Sequence, residues 1–303
     1  MAGEVKTPFW RSLWCVCCGT GIFPALREHS TARTLWHLAL MSLLAGAIVT
    51  VGVSGSLDAE LAGCGRNFTA AFGDSIRLSE RGIVPAKRPP VPFFLPLPAG
   101  GGLFYTSGGR GVEFPPGFFD RHRYFFVWSD VAIAAGTRSG DEWQIQLVDP
   151  AQKTRIVRSG EAGIPALIAA ELRRSPVSWK LPEASIDTKD MFKLAGRIVA
   201  VLTFLTEFFG CLLLALVCTG SFALFSRFTG ASALRGLTGG AYWRIGVYAG
   251  FPGMLLGGVC EALQLPYVTY GIIYVTALVF YWLPASLACA EDGGGDGGAR
   301  KDA

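Results

Sequence analysis

The chain has 303 residues, of which 51% are apolar and only 17% charged, against about a quarter charged in ordinary soluble domains. With a mean hydropathy of +0.40, this excludes a disordered chain and argues against a wholly soluble one. The net charge of +4, from 27 basic and 23 acidic residues, is too small to point to nucleic acid, and no nucleic-acid partner is expected.

The N-terminal segment, residues 1–33, carries Lys6, Arg11, Arg27 and Arg33 together with Cys15, Cys17 and Cys18. The cysteines contain a C-x-x-C spacing, but a structural zinc takes about four ligands and His29 alone does not complete the set. Inert thiols are expected, with palmitoylation or a weak metal site as the alternatives. Leu35–Val53 is apolar apart from His37. A helix needs about 20 such residues to cross the hydrocarbon layer, so residues 34–53 are read as a first transmembrane helix, retained as a signal anchor. Leu61-Ala62-Gly63-Cys64 imitates a lipoprotein cleavage box, but Asp58 and Glu60 separate it from the apolar run.

Residues 54–193 read as an extracytoplasmic α+β domain. Phe68, Phe72 and Ile76 at helical spacing predict a short amphipathic helix over Asn67–Arg81, and Asn67-Phe68-Thr69 fits the glycosylation acceptor pattern. Prolines at 85, 89, 90, 92, 96 and 98 make Gly82–Pro98 an extended connector. Glycine-rich Gly100–Gly102 and Gly108–Gly111 bracket a short strand at Leu103–Tyr105. The β-rich runs Tyr124–Ala134 and Trp143–Val148 form a hairpin about Gly136–Asp141. Asp149–Lys153 turns into a strand at Thr154–Val157, and Pro165 starts a helix that runs to about Arg173. The result is a three- or four-stranded antiparallel meander. The aromatics Phe114, Phe118, Phe119, Tyr124, Phe125, Phe126 and Trp128 read as its core, against an apolar ligand groove or a membrane face. Arg121-His122-Arg123 reads as a solvated turn.

Residues 194–290 hold three more transmembrane helices, at about 196–222, 242–264 and 267–290, and 291–303 is a flexible tail. Basic residues in the N-terminal segment, at Arg227, Arg235 and Arg244, and at Arg300 and Lys301 place both termini in the cytoplasm of a multi-pass protein of the cell (inner) membrane. Cys64 is the one cysteine outside. Small residues four apart, Gly246 and Gly250, then Gly253 and Gly257, let the third of the four helices pack closely, and Pro252 permits a kink. Tyr267, Tyr270, Tyr274 and Tyr281 form one stripe on the fourth helix. Glu207 and Glu261 are the intramembrane acids. With Tyr274 and Tyr281 they are the polar candidates, since an ionised carboxylate facing lipid is costly and turns inward. Thr203 and a tyrosine hydroxyl are expected to bond Glu207.

Neither a Gly-x-Ser-x-Gly elbow, a H-E-x-x-H helix nor a Walker loop is present. No catalytic residue, cofactor or metal is assigned. Set in order, Tyr124–Ala134, Trp143–Val157, the helix from Ile164 and Arg244-Ile245-Gly246-Val247-Tyr248-Ala249-Gly250-Phe251-Pro252 resemble an uncharacterised bacterial membrane-protein family that includes a maltodextrin-utilisation accessory protein. The resemblance covers the architecture of most of the chain. It departs at the Pro/Gly-rich connector and the Cys-rich start, and it implies an accessory or sensing role. The expected fold is an α-helical integral membrane protein with four transmembrane helices and an inserted extracytoplasmic α+β domain built on a small antiparallel sheet. Its partners are the lipid bilayer and a protein or ligand at the extracytoplasmic domain, with oligomerisation open. The alternative function is a small transporter or channel-like subunit using Glu207.

Overall fold

The computed structural model describes residues 7–79, 82–106, 114, 117–129, 133–148, 154–160, 163–172, 183–229, 237–265 and 269–294. The expected turn at Asp149–Lys153, the Gly108–Gly111 stretch, Arg235, Tyr267 and the terminal tail lie outside the described residues. The chain forms two units, Met1–Gly55 with Ile198–Ala303, and Ser56–Arg197.

Helices dominate the first unit. α1 (Phe9–Cys18) and the short α2 (Phe23–Leu26) precede α3 (Thr31–Phe72); α6 (Thr188–Thr229), α7 (Gly239–Ala249), α8 (Phe251–Ala262) and α9 (Tyr270–Gly294) follow the sheet region. Among the described residues, four helices are long and apolar enough to cross a membrane: Thr31–Phe72, Thr188–Phe225, Gly239–Ala262 and Tyr270–Cys289. α7–α8 is the central one, with 61% of its apolar window buried against 11% for α6. Along α6 the exposed large residues Ile198, Val201, Leu202, Leu205, Phe209, Leu213 and Val217 recur at helical spacing. So long an apolar stripe has no place in water and suits lipid. α1 buries Phe9, Leu13 and Val16 in the same core as Leu38, Met41, Tyr248, Phe251 and Tyr274. Arg27 donates to the Cys289 carbonyl of α9 at 2.6 Å. From Phe9 to Arg27 the N-terminal segment is thus packed structure.

The glycine stripe has partners inside this unit. A Cβ on Gly250 would stand 2.6 Å from the Tyr274 hydroxyl, one on Gly253 2.9 Å from the Ala277 Cβ, and one on Gly257 2.9 Å from the Tyr270 ring. Gly246 faces Thr219 of α6. The expected single third helix is divided at Gly250, and Pro252 takes the first turn of α8, where its missing N–H costs nothing.

The second unit carries two sheets. β1 (Ser75–Ser79), β2 (Gly82–Pro85) and β9 (Ala184–Asp187) make an antiparallel sheet of order β2-β1-β9. β3 (Phe93–Leu97), β4 (Gly101–Thr106), β5 (Tyr124–Ser129), β6 (Ile133–Ser139), β7 (Glu142–Val148) and β8 (Thr154–Ser159) make a six-stranded sheet in chain order. α4 (Phe118–Arg121) and α5 (Ile164–Leu172) complete the unit. Ile164 and Ile168 of α5 pack with Phe104, Phe125, Trp143 and Ile145. Phe68 and Phe72, from the end of α3, pack with Leu103, Tyr105 and Trp128. Phe104 and Tyr105, and likewise Val127 and Trp128, are adjacent in sequence yet enter different clusters. The alternation of strand side chains therefore covers both faces of the sheet.

Four expectations need correction. The antiparallel meander β5–β8 is present, but β4 pairs parallel to β5, so the sheet is mixed. The segment between them is long enough for the crossover that parallel strands require. The expected helix over Asn67–Arg81 is instead the end of α3, which stops at Phe72. Gly73 adopts φ +89 there, a left-handed stop, and Ile76 lies in β1. The Pro-rich connector carries β2 and β3, both edge strands, where a proline without an N–H is tolerated. Gly136 lies within β6 rather than in the turn, because the Phe125 ring covers it and a Cβ would come 2.2 Å from that ring. The turn is the two-residue Gly140–Asp141 loop closed by the Ser139–Glu142 pair, with Gly140 at φ +66, the hairpin conformation that glycine supplies.

Candidate functional site

Three polar constellations stand out. In the helical unit, Glu207 and Cys211 lie one turn apart on α6, and Glu207 is within electrostatic reach of Glu261 on α8. The buried Cys211 thiol lies beside the Tyr270 hydroxyl, and the Tyr270 ring stacks on Tyr274 at 6.4 Å. Among the described residues, the Tyr274 hydroxyl and one oxygen of Glu261 are buried without a hydrogen-bond partner. Of the sequence candidates, Glu207 and Glu261 thus fall in one neighbourhood, with Tyr274 adjoining it through Tyr270. Tyr281 does not join them; its hydroxyl donates to the Val16 carbonyl of α1. No hydrogen bond joins Glu207 to Thr203 or to a tyrosine among the described residues, so that expectation is corrected. Glu207 has the second carboxyl as its electrostatic neighbour instead.

The second constellation went unread in the sequence. His29, His37 and Tyr248 are all buried. The Tyr248 hydroxyl lies 2.8 Å from His29 Nδ1 and 3.0 Å from His37 Nδ1, and the three rings meet edge-on at 5.7–5.8 Å. Nothing in the local spacing of two histidines marks a tyrosine 211 positions beyond His37.

The third constellation lies wholly in the sheet unit, where the last turns of α3 run beside the first turns of α6. The two helices are joined at Thr69 and Thr188, whose hydroxyls are 3.3 Å apart. Thr188 also donates to the Asp74 carbonyl at 3.0 Å. Between the helices opens a groove of about 810 Å³, within the usual range of small-molecule sites. Leu61, Ala62, Gly65 and Phe192 make its apolar lining. A Cβ on Gly65 would stand 3.3 Å from the Phe192 ring, so glycine lets that ring lie close against α3. Arg66, Lys189, Lys193 and Arg197 line the groove, against the single carboxylate of Asp58. Lys193 lies 3.7 Å from Asp190, with both side chains more than 70% exposed, a pair of little strength. Among the described residues no carboxylate pairs with Arg66, Lys189 or Arg197. Here a signal was present in the sequence: Lys189, Lys193 and Arg197 recur every four residues, which puts them on one helical face.

Among the described residues no three His, Cys, Asp or Glu side chains converge to hold a metal ion. Comparison with protein-family models, curated proteins and solved structures finds no match.

Proposed function

We propose that this chain is a non-enzymatic, multi-pass protein of the cell (inner) membrane. Its sheet unit, outside the membrane, meets a ligand or partner through the groove between α3 and α6 in an accessory, sensing or assembly role. Both termini are cytoplasmic on this reading, supported by the basic residues of the N-terminal segment and of the connection before α7. The observation that carries it is the groove itself: a cavity of about 810 Å³ lined by apolar residues, four cations and one carboxylate. Such a concave, mostly apolar site with a few convergent charges is where a ligand binds. The resemblance of this plan to an uncharacterised bacterial membrane-protein family implies the same role.

Thermal unfolding of the purified full-length chain tests it, with membrane lipid extracts and soluble small molecules added in turn. A ligand that raises the melting temperature of the parent but not of Ala62→Trp, whose indole fills the groove, is the expected result. If no addition separates the two proteins, the groove is not a ligand site.

The Glu261 oxygen that has no hydrogen-bond partner among the described residues, within electrostatic reach of Glu207, supports a second reading, a small transporter using Glu207. An unsatisfied intramembrane carboxyl is a natural proton or cation stop. Proton-dependent flux in liposomes, lost in Glu207→Gln, would favour it over the first.

A further inference from the structure

We infer that the groove holds the headgroup of an anionic phospholipid, with an acyl chain lying against its apolar lining residues. The inference rests on the groove being a ligand site and names the class of ligand. Charge comes first: Arg66, Lys189, Lys193 and Arg197 against Asp58 select an anion, and guanidinium groups match phosphate oxygens in bidentate fashion. Length comes second. Lys189 to Arg197 spans about 12 Å of helix, more than a single free phosphate occupies. Polarity comes third. Leu61, Ala62, Gly65 and Phe192 give apolar lining that a small soluble anion would leave uncovered, whereas an amphiphile covers it while its phosphate meets the cations.

Position in the chain agrees. Arg197 immediately precedes the apolar run that opens at Ile198, and Asp58 follows closely on the run that closes at Val53. If those runs cross the membrane, the groove begins at the level of the headgroups. A row of basic side chains there attracts anionic lipid, each strengthening binding by about fivefold. Snorkelling of long basic chains toward the interface accounts for charge at this level, but not for a cavity with apolar lining.

The test uses the full-length protein in neutral detergent, titrated with short-chain phosphatidylglycerol or phosphatidylcholine, with retained lipid read by native mass spectrometry. Phosphatidylglycerol is expected to bind about tenfold more tightly, allowing for screening. The triple variant Arg66→Gln, Lys193→Gln, Arg197→Gln should lose that preference. Arg77→Gln, Arg121→Gln, Arg158→Gln, which neutralises exposed arginines of the same unit outside the groove, should keep it. Arg66→Lys with Arg197→Lys should also keep it, which separates lost charge from lost folding. Equal retention of the two lipids by the parent overturns the inference. So does an equal loss in the two neutralised triples, or full displacement of the lipid by inorganic phosphate. If phosphatidylcholine or a soluble compound stabilises the parent but not Ala62→Trp, the groove stands as a ligand site and only the anionic-lipid assignment falls.

Discussion

A tyrosine hydroxyl carries one proton, yet Tyr248 sits between two imidazole nitrogens. It can donate to one Nδ1 only, so the other imidazole must carry a proton on its Nδ1 and donate to the phenol oxygen. His29 and His37 therefore cannot both be in the Nε2–H form, and the tautomers of two distant segments are coupled through one oxygen. Tyr248→Phe withdraws a partner from both buried rings at once. It should destabilise the full-length protein by about 1–3 kcal/mol, read as a lowered melting temperature in detergent, and an unchanged temperature would show that the contacts carry no stability. In the sheet unit, Tyr124 donates to the Pro98 carbonyl at 2.6 Å. Burial first, and then the neighbouring Cys64 thiol, push its phenol above the ordinary value of 10.0. The folded state therefore holds this proton more tightly than the unfolded chain, so the contribution is complete below pH 10 and declines as pH rises through the folded value. Melting profiles of the parent and Tyr124→Phe should show a steeper alkaline decline in the parent. Parallel declines would contradict the assignment.

Among the elements, α8 and α9 approach through glycine. The Gly253 position faces the Tyr274 carbonyl at 3.1 Å as well as the Ala277 Cβ; the carbonyl is backbone and cannot swing aside. Gly253→Val should force the helices apart and cost about 1–3 kcal/mol, whereas Gly271→Ala, with nothing within 4 Å, should be neutral or slightly stabilising. Equal melting temperatures for the two variants would refute the packing. The close spacing was legible in the sequence, because small residues four apart have few other uses in an apolar helix; which neighbour filled the space was not. α1 offers a second case. Phe9, Leu13 and Val16 face the core, while Trp10 and Trp14 stand 67% and 73% exposed on the other side. Indole rings so placed suit the membrane interface, and brominated lipid should quench their fluorescence. Unquenched emission from a protein that retains only these two tryptophans would place α1 away from the bilayer. The Pro-rich stretch was misread because proline forbids central strands only; edge strands accept it. The parallel β4–β5 pair escaped the sequence because it joins segments separated by a crossover, and local alternation carries no trace of which strands will be neighbours.

At the scale of the whole molecule, four apolar runs were legible because the hydrocarbon layer sets a length that few soluble helices match. The ends of those helices were not. α3 continues to Phe72 and α6 begins at Thr188, because a helix does not stop where its side chains turn polar, and that extension builds the groove walls. Cys64 lies on this extension and is 7% exposed, so despite being the one cysteine expected outside, its thiol should react slowly until the protein unfolds. Side is better read at an exposed position. The central claim is a membrane protein that presents its sheet unit, groove included, on the outer side. In intact cells expressing Ser139→Cys, whose residue is exposed beside the Gly140–Asp141 turn, a membrane-impermeant maleimide should label the introduced thiol at once and label Cys17 only after permeabilisation. Labelling of Cys17 from outside, with Ser139→Cys silent until the membrane is opened, would contradict the account.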